Sequence, residues 1–162
     1  MPTEISGSTG VNKIQSSAIE YGDLPTGSVL QVVTGTNTTE QSISTTSWTD
    51  TNLSLSITPS ATTSKIHIQY SFPSVYLTVA NAGCSMRILR DTTSLFTPSH
   101  GYAIYNSAGV GYWQYGDIAL DSPSTTSSVT YKIQVKNYNS NAIEISDGSF
   151  YNNTIILTEI AG

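Results

Sequence analysis

Few residues in this chain have the types and spacing that catalysis or metal binding would need. His67 lies between Ile66 and Ile68, so in a strand it would point away from an apolar face. His100 precedes Gly101 in a polar stretch. A metal site needs several ligands at fixed spacing, and neither histidine has a second histidine or a cysteine pair near it in sequence. The pattern predicts no zinc-type site and no cofactor.

One short stretch offers oxygen ligands. Asp147 and Gly148 are followed by Asn152 and Asn153. Carboxylate and amide oxygens suit calcium, but calcium loops place them at regular intervals that are not found here. An Asp-Gly pair with nearby asparagines is typical of a turn. We therefore interpret this stretch as a turn.

Enzymatic patterns are equally weak. With so many serines, a Ser-His-Asp set can be drawn from composition alone, but the Gly-x-Ser-x-Gly elbow of many hydrolases is missing. Paired carboxylates for glycoside cleavage could come from Asp117 with Asp121, or from Glu144. Nothing in the sequence sets their environment. The sequence predicts a protein that is not an enzyme.

Aromatic residues between positions 102 and 115 are the more informative set. Amphipathic rings interleaved with glycine and amide residues are typical of recognition surfaces, including those that bind saccharides. The other interpretation is that several of these rings pack in the core or between subunits. We expect Tyr102, Tyr105 and Tyr112 to be more exposed than Trp113. The receptor-binding hypothesis covers Tyr102, Tyr105, Tyr112, Trp113 and Tyr115.

Charge and cysteine content exclude several classes of protein. Charged residues are only 10% of the chain, and 11 acids against 6 bases give a formal net charge of −5. Nucleic-acid binding needs clustered bases, which this chain lacks. No apolar run approaches the roughly 18 residues of a membrane span, and residues 1–7 do not resemble a secretion signal. The single Cys84 allows no internal disulfide. The sequence predicts synthesis in a cytoplasm and no nucleic-acid or membrane partner.

The remaining composition and its periodicity indicate β-structure. The chain contains 25 Ser and 23 Thr among 162 residues, with 10 Tyr, which suits short strands and polar turns. Apolar and polar residues alternate through Asn52–Tyr70, on both sides of a small-residue turn. Leu53, Leu55 and Ile57 share one face, and Ile66, Ile68 and Tyr70 share another. This pattern predicts a β-hairpin lying over a core.

The same reasoning along the chain predicts eight to ten strands with turn signals every 8–14 residues, which is the spacing of an antiparallel β-sandwich or jelly roll. We assign residues 28–162 to this domain. Two strands, Val29–Val33 and Thr154–Ile160, look apolar on both faces and would need cover from a partner. The segment 99–112 is predicted as a long loop. The predicted strands lie near 28–34, 40–48, 52–57, 65–72, 84–90, 95–96, 112–120, 129–135, 142–146 and 154–161.

Residues 1–27 differ from the rest, because apolar residues are sparse and glycines are frequent. Val11, Ile14, Ala18 and Tyr21 are spaced 3, 4 and 3 apart, which is the seam of a two-heptad helix. Such a short helix is marginal in water unless several chains combine. We expect an attachment arm in which these four residues form a three-helix trimer seam, and an extended leader is the alternative.

Four parts of the chain stand out by their order and spacing, namely Ile5–Ile14, Leu24–Val32, Leu53–Ser60 with Ser64–Ile66, and Ile155–Gly162. Together they resemble small surface proteins of tailed bacteriophages, often described as tail-fibre-like and found in aquatic and cyanobacterial phages. Their order and spacing carry the resemblance, which covers nearly the whole chain. It implies a β-sandwich or jelly roll that forms a homotrimer on the virion, with the N-terminal segment binding other phage structural proteins. It brings no catalytic residue.

Two functions follow from the resemblance, with a depolymerase fragment as a weaker third option. In the first, the protein is a tail fibre or fibre tip, in which residues 1–27 join the tail and the aromatic loop contacts the host surface, with a surface glycan as the candidate ligand. In the second, it is a capsid decoration or cement protein that stabilises the phage head. Exposed aromatics favour the fibre, whereas the shortness of the chain favours decoration.

Overall fold

The computed structural model of the chain describes residues 20–96, 103–146 and 152–162. A 3-10 helix, Tyr21–Asp23, precedes eleven described strands. Strands dominate because β-branched and aromatic residues alternate with polar ones over most of these ranges. The strands are β1 (Val29–Asn37), β2 (Gln41–Ile43), β3 (Thr49–Ile57), β4 (Lys65–Leu77), β5 (Ala82–Arg90), β6 (Thr93–Phe96), β7 (Ile104–Asn106), β8 (Gly111–Asp121), β9 (Val129–Asn137), β10 (Ile143–Ile145) and β11 (Asn153–Ile160).

The strands form two antiparallel sheets that pack face to face. In sheet A the long strands have the order β1-β11-β4-β8, and the short strands β10 and β2 extend it beside the end of β4. In sheet B the order is β3-β9-β5-β6, with β7 added to β5. Numbered one to eight along the chain, the long strands read 1-8-3-6 and 2-7-4-5, which is the arrangement of a jelly roll. The predicted all-β sandwich is confirmed.

The core lies between the sheets and is filled by alternate residues of each strand. On β9 and β11 every second side chain is buried, as strand geometry requires when one face meets a core. Ile68, Phe72 and Leu157 from sheet A are fully buried, as are Tyr131 and Ile133 from sheet B. The inward side chains that the period-two pattern predicted in residues 52–70 are confirmed, although Leu55 is only half-buried.

The predicted hairpin at Asn52–Tyr70 is wrong, because its two strands belong to different sheets. β3 pairs with β9, whereas β4 pairs with β11 on one edge and β8 on the other. The connecting residues 58–64 are longer than a tight hairpin loop and carry the chain across the sandwich. Period-two alternation identifies the face that is buried, but it does not identify the neighbouring strand.

Other boundaries differ in detail. Of the strand predicted over 40–48, only Gln41–Ile43 forms a strand. The segment 99–112, predicted as a loop, contains β7. β4 runs on to Leu77, through a register shift between Phe72 and Val75 that lets it bend past Pro73. Proline cannot donate a ladder hydrogen bond, so an irregular site suits it.

Two polar clusters hold the sandwich together. The Arg90 guanidinium contacts both oxygens of the Asp121 carboxylate at 2.9 and 2.7 Å, and the Tyr131 hydroxyl donates to the same carboxylate at 2.7 Å. Asp121 ends β8 of sheet A, whereas Arg90 and Tyr131 belong to sheet B. Charge-assisted hydrogen bonds of this kind are stronger than neutral ones. The cluster therefore ties the two sheets together at one end.

The second cluster surrounds Glu159, which is fully buried on β11. Its carboxylate accepts hydrogen bonds from Gln31 Nε2 at 2.6 Å, the Ser60 N–H at 2.6 Å and Ser64 Oγ at 2.6 Å. The Ser60 hydroxyl adds a fourth at 3.1 Å. Burial alone would raise the pKa of Glu159, but the hydrogen bonds from Ser64, Gln31 and Ser60 outweigh it, so the pKa lies below its ordinary value. Glu159 thus fixes the 58–64 loop to β1 and β11.

Within the described ranges, the structure has no helix that is both long enough and apolar enough to cross a membrane.

Candidate recognition surface

The sandwich has two ends of different character, about 40 Å apart along the 13 residues of β4. The terminal end comprises residues 20–28, 58–64 and 161–162, where the described chain begins and finishes. The tyrosine end comprises residues 76–83, 104–112 and 137–142. The ladders fix this arrangement, because Lys65 pairs with Ile160 at one end of β4 and Leu77 pairs with Gly111 at the other.

The first tyrosine pair at the tyrosine end is Tyr105 and Tyr138. Their ring centroids are 6.1 Å apart with an interplanar angle of 89°, which is an edge-to-face contact. The Tyr105 hydroxyl donates to Asn81 Oδ1 at 3.0 Å, and Asn139 Nδ2 donates to the Asn81 carbonyl at 2.7 Å. Tyr105 is 43% exposed and Tyr138 is 51% exposed. The rings are therefore held in place while much of their surface faces solvent.

Asn81 positions this pair from the loop between β4 and β5. Its φ of 57° is left-handed, a conformation that asparagine tolerates better than most residues. On β5, Gly83 lies so close to β7 that a Cβ would be 2.8 Å from the Ile104 carbonyl oxygen. The missing side chain lets β7 approach β5 and brings Tyr105 beside the loop.

The second pair is Tyr76 and Tyr112, whose rings stack with centroids 4.5 Å apart and an interplanar angle of 24°. The two residues are cross-strand neighbours of β4 and β8. Tyr112 is 63% exposed. Because stacked cross-strand aromatics restrict each other, this pair also presents a fixed ring face.

The aromatic residues predicted for receptor contact separate into two groups. Residues alternate along β8, so Tyr112 faces outward while Trp113 and Tyr115 face inward and pack against the core. Burial raises the pKa of Tyr115, and Asp117 adds to the effect. The expectation that Tyr105 and Tyr112 are more exposed than Trp113 is confirmed. Tyr102 lies outside the described residues.

The four residues predicted for attachment lie mostly outside the described ranges, which exclude Val11, Ile14 and Ala18. Tyr21 is described and lies at the terminal end. Its hydroxyl is 3.0 Å from Thr63 Oγ1 and accepts a hydrogen bond from the Gly162 N–H at 3.3 Å. Gly27 N–H also donates to the Ala161 carbonyl at 2.7 Å. These contacts join the end of the N-terminal segment to the last strand.

The titratable residues considered for catalysis do not come together. Asp121 is engaged by Arg90 and Tyr131, and Asp117 accepts a hydrogen bond from the Ile118 N–H at 2.8 Å. Glu144 lies on β10, near the tyrosine end. Among residues 20–96, 103–146 and 152–162 there is no group of three His, Cys, Asp or Glu side chains that could hold a metal ion. Asp147, from the predicted turn, lies outside these ranges.

The outer faces of the two sheets differ in character. On the outer face of sheet B, Lys132 donates to Asp50 at 2.8 Å, and Arg87 lies 4.4 Å from the centroid of the Trp48 ring. On the outer face of sheet A, a groove of about 510 Å³ lies over Gly116. The groove is lined by Gln69, Tyr70, Ser71, Gln114, Gly116, Asp117 and Ile118.

The sequence matches no known family model and no curated protein.

Sequence reasoning missed two members of the tyrosine end, Tyr76 and Tyr138. Tyr138 was detectable, because it interrupts the polar run Asn137–Asn141 directly after a strand, where an aromatic side chain has little core to enter. Tyr76 offered no such signal. Its partner Tyr112 is 36 positions away, and only the β4–β8 register brings them together.

Proposed function

We propose that this protein is a structural protein of a tailed bacteriophage, a homotrimeric tail fibre or fibre tip whose tyrosine end contacts the host surface. The observation that carries the proposal is the separation of the two ends. The N-terminal segment enters beside Gly162, and the exposed tyrosines lie about 40 Å away along β4. An adsorption protein needs this polarity, since one end must hold the particle while the other faces the cell.

The chemistry of the tyrosine end suits a neutral saccharide. Tyrosine rings offer flat apolar faces to the C–H groups of a sugar, and their hydroxyls offer hydrogen bonds at the edge. Asn81 and Asn139 add amide groups that can both donate and accept. No lysine or arginine lies in residues 76–83, 104–112 or 137–142, so an anionic polymer has no charged partner there. The proposed ligand is therefore an uncharged stretch of cell-surface glycan.

Replacing Tyr105, Tyr112 and Tyr138 together with serine is expected to abolish binding to host cells while the fold is retained. The three rings lie at the surface, and base or sugar stacking on such rings is lost when they are removed. Fluorescently labelled protein should be titrated onto intact cells of a panel of aquatic bacteria that includes cyanobacteria. We expect at least about a 100-fold loss of affinity on any strain that the unaltered protein binds.

The matched control is Tyr21→Ser, which removes a tyrosine from the terminal end. Cell binding by this variant should equal that of the unaltered protein, because Tyr21 contacts only the other end of the sandwich among the described residues. Equal binding by the triple variant and the unaltered protein would remove the tyrosine end from the proposal.

Deleting residues 1–19 is expected to leave a folded protein that no longer enters phage particles. The contacts of Tyr21 with Thr63 and Gly162 remain in this truncated chain, so the sandwich should keep its melting temperature. Incorporation is measured by supplying the tagged variant during infection and probing purified particles. Normal incorporation would show that attachment uses another surface, whereas loss of folding would make the segment part of the core.

The second candidate, a capsid decoration protein, is favoured by the asparagines of the tyrosine end. Asn81, Asn106, Asn139 and Asn141 give that end a polar character that also suits packing on a capsid surface. Immunogold labelling of particles separates the two candidates. Label on the tail supports the fibre, and label spread over the head supports decoration.

A further inference from the structure

We propose that the outer face of sheet A is the surface through which copies of this chain associate. The proposal rests on the self-association included in the proposed function, and it adds the surface that performs it. This face, here called the sheet A face, consists of the outward side chains of β1, β11, β4 and β8. Its aliphatic members are Val29, Val32, Ile118, Leu120, Ile156 and Ile160.

The strand register places these aliphatic side chains in rows across the sheet. One row runs from Val32 through Thr158 and His67 to Leu120. The next row runs from Thr34 through Ile156 and Gln69 to Ile118. Each row therefore combines aliphatic groups with hydroxyl, amide or imidazole groups that can hydrogen-bond across an interface.

The exposure of these residues is unusual for a surface that faces only water. Val29 is 59% exposed, Val32 54%, Ile118 63% and Leu120 59%. The other exposed large apolar side chains of the described chain lie in the loops and strands of the tyrosine end. On the outer face of sheet B only Tyr105 of these residues lies on a described strand, at the tyrosine end, and the middle of that face carries Arg87, Lys132 and Lys136. The outer face of sheet A is therefore apolar, as expected of a face covered by a partner, whereas the outer face of sheet B is charged, as expected of a face in contact with water.

Charge favours a second copy of this chain as the occupant. On the sheet A face the titratable side chains of the four strands are His67 and Lys65, and Lys65 lies at the margin, at the start of β4. Of the acids on these strands, Glu159 is buried inside, Asp121 is engaged by Arg90, and Asp117 is half-buried on the inward side of β8, although it also lines the groove over Gly116. Three copies of this face can therefore meet around a common axis with Asp117 as the only carboxylate of these strands near the interface. A basic or acidic partner would find no complementary charge.

The size of the face suits the same occupant. Four strands about 4.8 Å apart and about nine residues long at 3.3 Å per residue cover roughly 500 Å². The face thus supplies more than half of the roughly 800 Å² that each partner of a stable complex buries. Within the described residues, β8 pairs with β4 alone, so one edge of the face is also open. The groove over Gly116 makes this face concave, and a side chain of a second copy could enter it.

The experiment measures the mass of the protein in solution by light scattering. The unaltered chain of 17.3 kDa should elute at about three times that mass. Ile118→Asp places a carboxylate on the sheet A face and should shift the protein to monomer, with at least about a 100-fold weaker association. Val110→Asp is the matched control, because Val110 is 64% exposed but lies outside the sheet, before β8. This variant should keep the mass of the unaltered chain.

A second variant keeps the proposal testable if Ile118→Asp fails to fold. Cys84 is fully buried, and burial raises the pKa of its thiol to about 12, so it should not react. Ile118→Cys then supplies the one reactive thiol, and a short bis-maleimide should join neighbouring chains into dimers. Val110→Cys should give no such product.

The outcomes separate the two proposals. A monomeric unaltered chain would overturn self-association itself. An oligomer that survives Ile118→Asp and gives no cross-linked product from Ile118→Cys would leave self-association standing and overturn the sheet A face. A third outcome is a monomeric chain whose Ile118→Asp variant fails to enter particles. This result would mean that the sheet A face binds a different virion protein, and it would overturn the proposal that the face binds a second copy of this chain.

Discussion

Glu159→Ala is expected to lower the free energy of unfolding by about 3–5 kcal/mol at neutral pH. The carboxylate is fully buried and is the common acceptor for Gln31, Ser60 and Ser64. Removing it leaves the buried Ser64 hydroxyl without this acceptor, whereas Gln31 Nε2 keeps its hydrogen bond to the Thr58 carbonyl at 2.8 Å and Ser60 is exposed. An unsatisfied buried donor costs about 1–3 kcal/mol and a lost hydrogen bond to a charged group about 1.5–3 kcal/mol, so the losses add to a large part of the stability of a domain this size.

The same site predicts a pH dependence. The pKa of Glu159 is lowered from its ordinary value of 4.5. A carboxyl whose pKa is lower in the folded state than in the unfolded state stabilises the fold above the unfolded-state value, and this contribution is lost as the pH falls through the lower folded-state value. Glu159→Gln keeps the size of the side chain but cannot ionise. The difference in free energy of unfolding between the unaltered protein and Glu159→Gln should therefore be largest at neutral pH. It should become smaller as the pH falls below about 4.5.

Chemical denaturation at several pH values provides the measurement, and Glu144→Ala is the control. Glu144 is a half-buried acid on β10 of the same sheet. Its replacement should change the stability by no more than about 0.5 kcal/mol. If Glu159→Ala unfolds with the same midpoint as Glu144→Ala, the hydrogen-bonded carboxylate does not stabilise the 58–64 loop as described.

The Glu159 cluster shows what the sequence could and could not reveal. Alternation across Ile155, Leu157 and Glu159 already implies that the acid shares a face with two core residues. An acid on an apolar face requires partners, but they are distant in sequence. Gln31 is 128 positions away, and Ser60 is 99 positions away. They meet Glu159 only because β1 is the neighbour of β11 and the 58–64 loop crosses between the sheets.

Local sequence patterns did not show which strands are neighbours in the sheets. Each strand buries alternate side chains whichever neighbour it has, so the all-β class and the inward residues followed from the sequence. The jelly-roll order joins β1 to β11 and β3 to β9, which are among the most distant strands of the chain. Tight turns identify a neighbour from sequence, and these pairs have none between them.

The candidate recognition surface was predicted in part for the same reason. Tyr105 and Tyr112 were identified because they are close in sequence and lie among glycines. Trp113 and Tyr115 share that environment, but the β8 strand turns them inward. The cluster as a whole was therefore visible in the sequence, and its division into outward and inward rings required knowing where β8 begins.

The second large effect is expected at Gly116, in the middle of β8. Gly116→Ala should lower the free energy of unfolding by about 2–3 kcal/mol. A Cβ at this position would lie 2.5 Å from the Tyr70 carbonyl oxygen on β4. That atom belongs to the backbone of a strand paired on both edges, so it cannot move aside as a flexible side chain could. Relief requires β8 to separate locally from β4.

Gly22→Ala is the matched control, since a Cβ there meets nothing within 4 Å and its φ is not in the left-handed range. It should change the stability by no more than about 0.5 kcal/mol. Thermal unfolding of both variants gives the comparison, and a Gly116→Ala protein as stable as Gly22→Ala would show that β8 does not pack against β4 as closely as described.

Because the strain at Gly116 is local, hydrogen exchange can distinguish loosening of β8 from a loss of stability of the whole domain. The amides that β8 donates to β4 should exchange faster in Gly116→Ala, whereas the amides of β9 in sheet B should change only as far as global stability does. β8 carries Tyr112 at the tyrosine end and Ile118 on the sheet A face. Loosening this one strand should therefore weaken cell binding and self-association together, although Gly116→Ala removes no side chain from either surface.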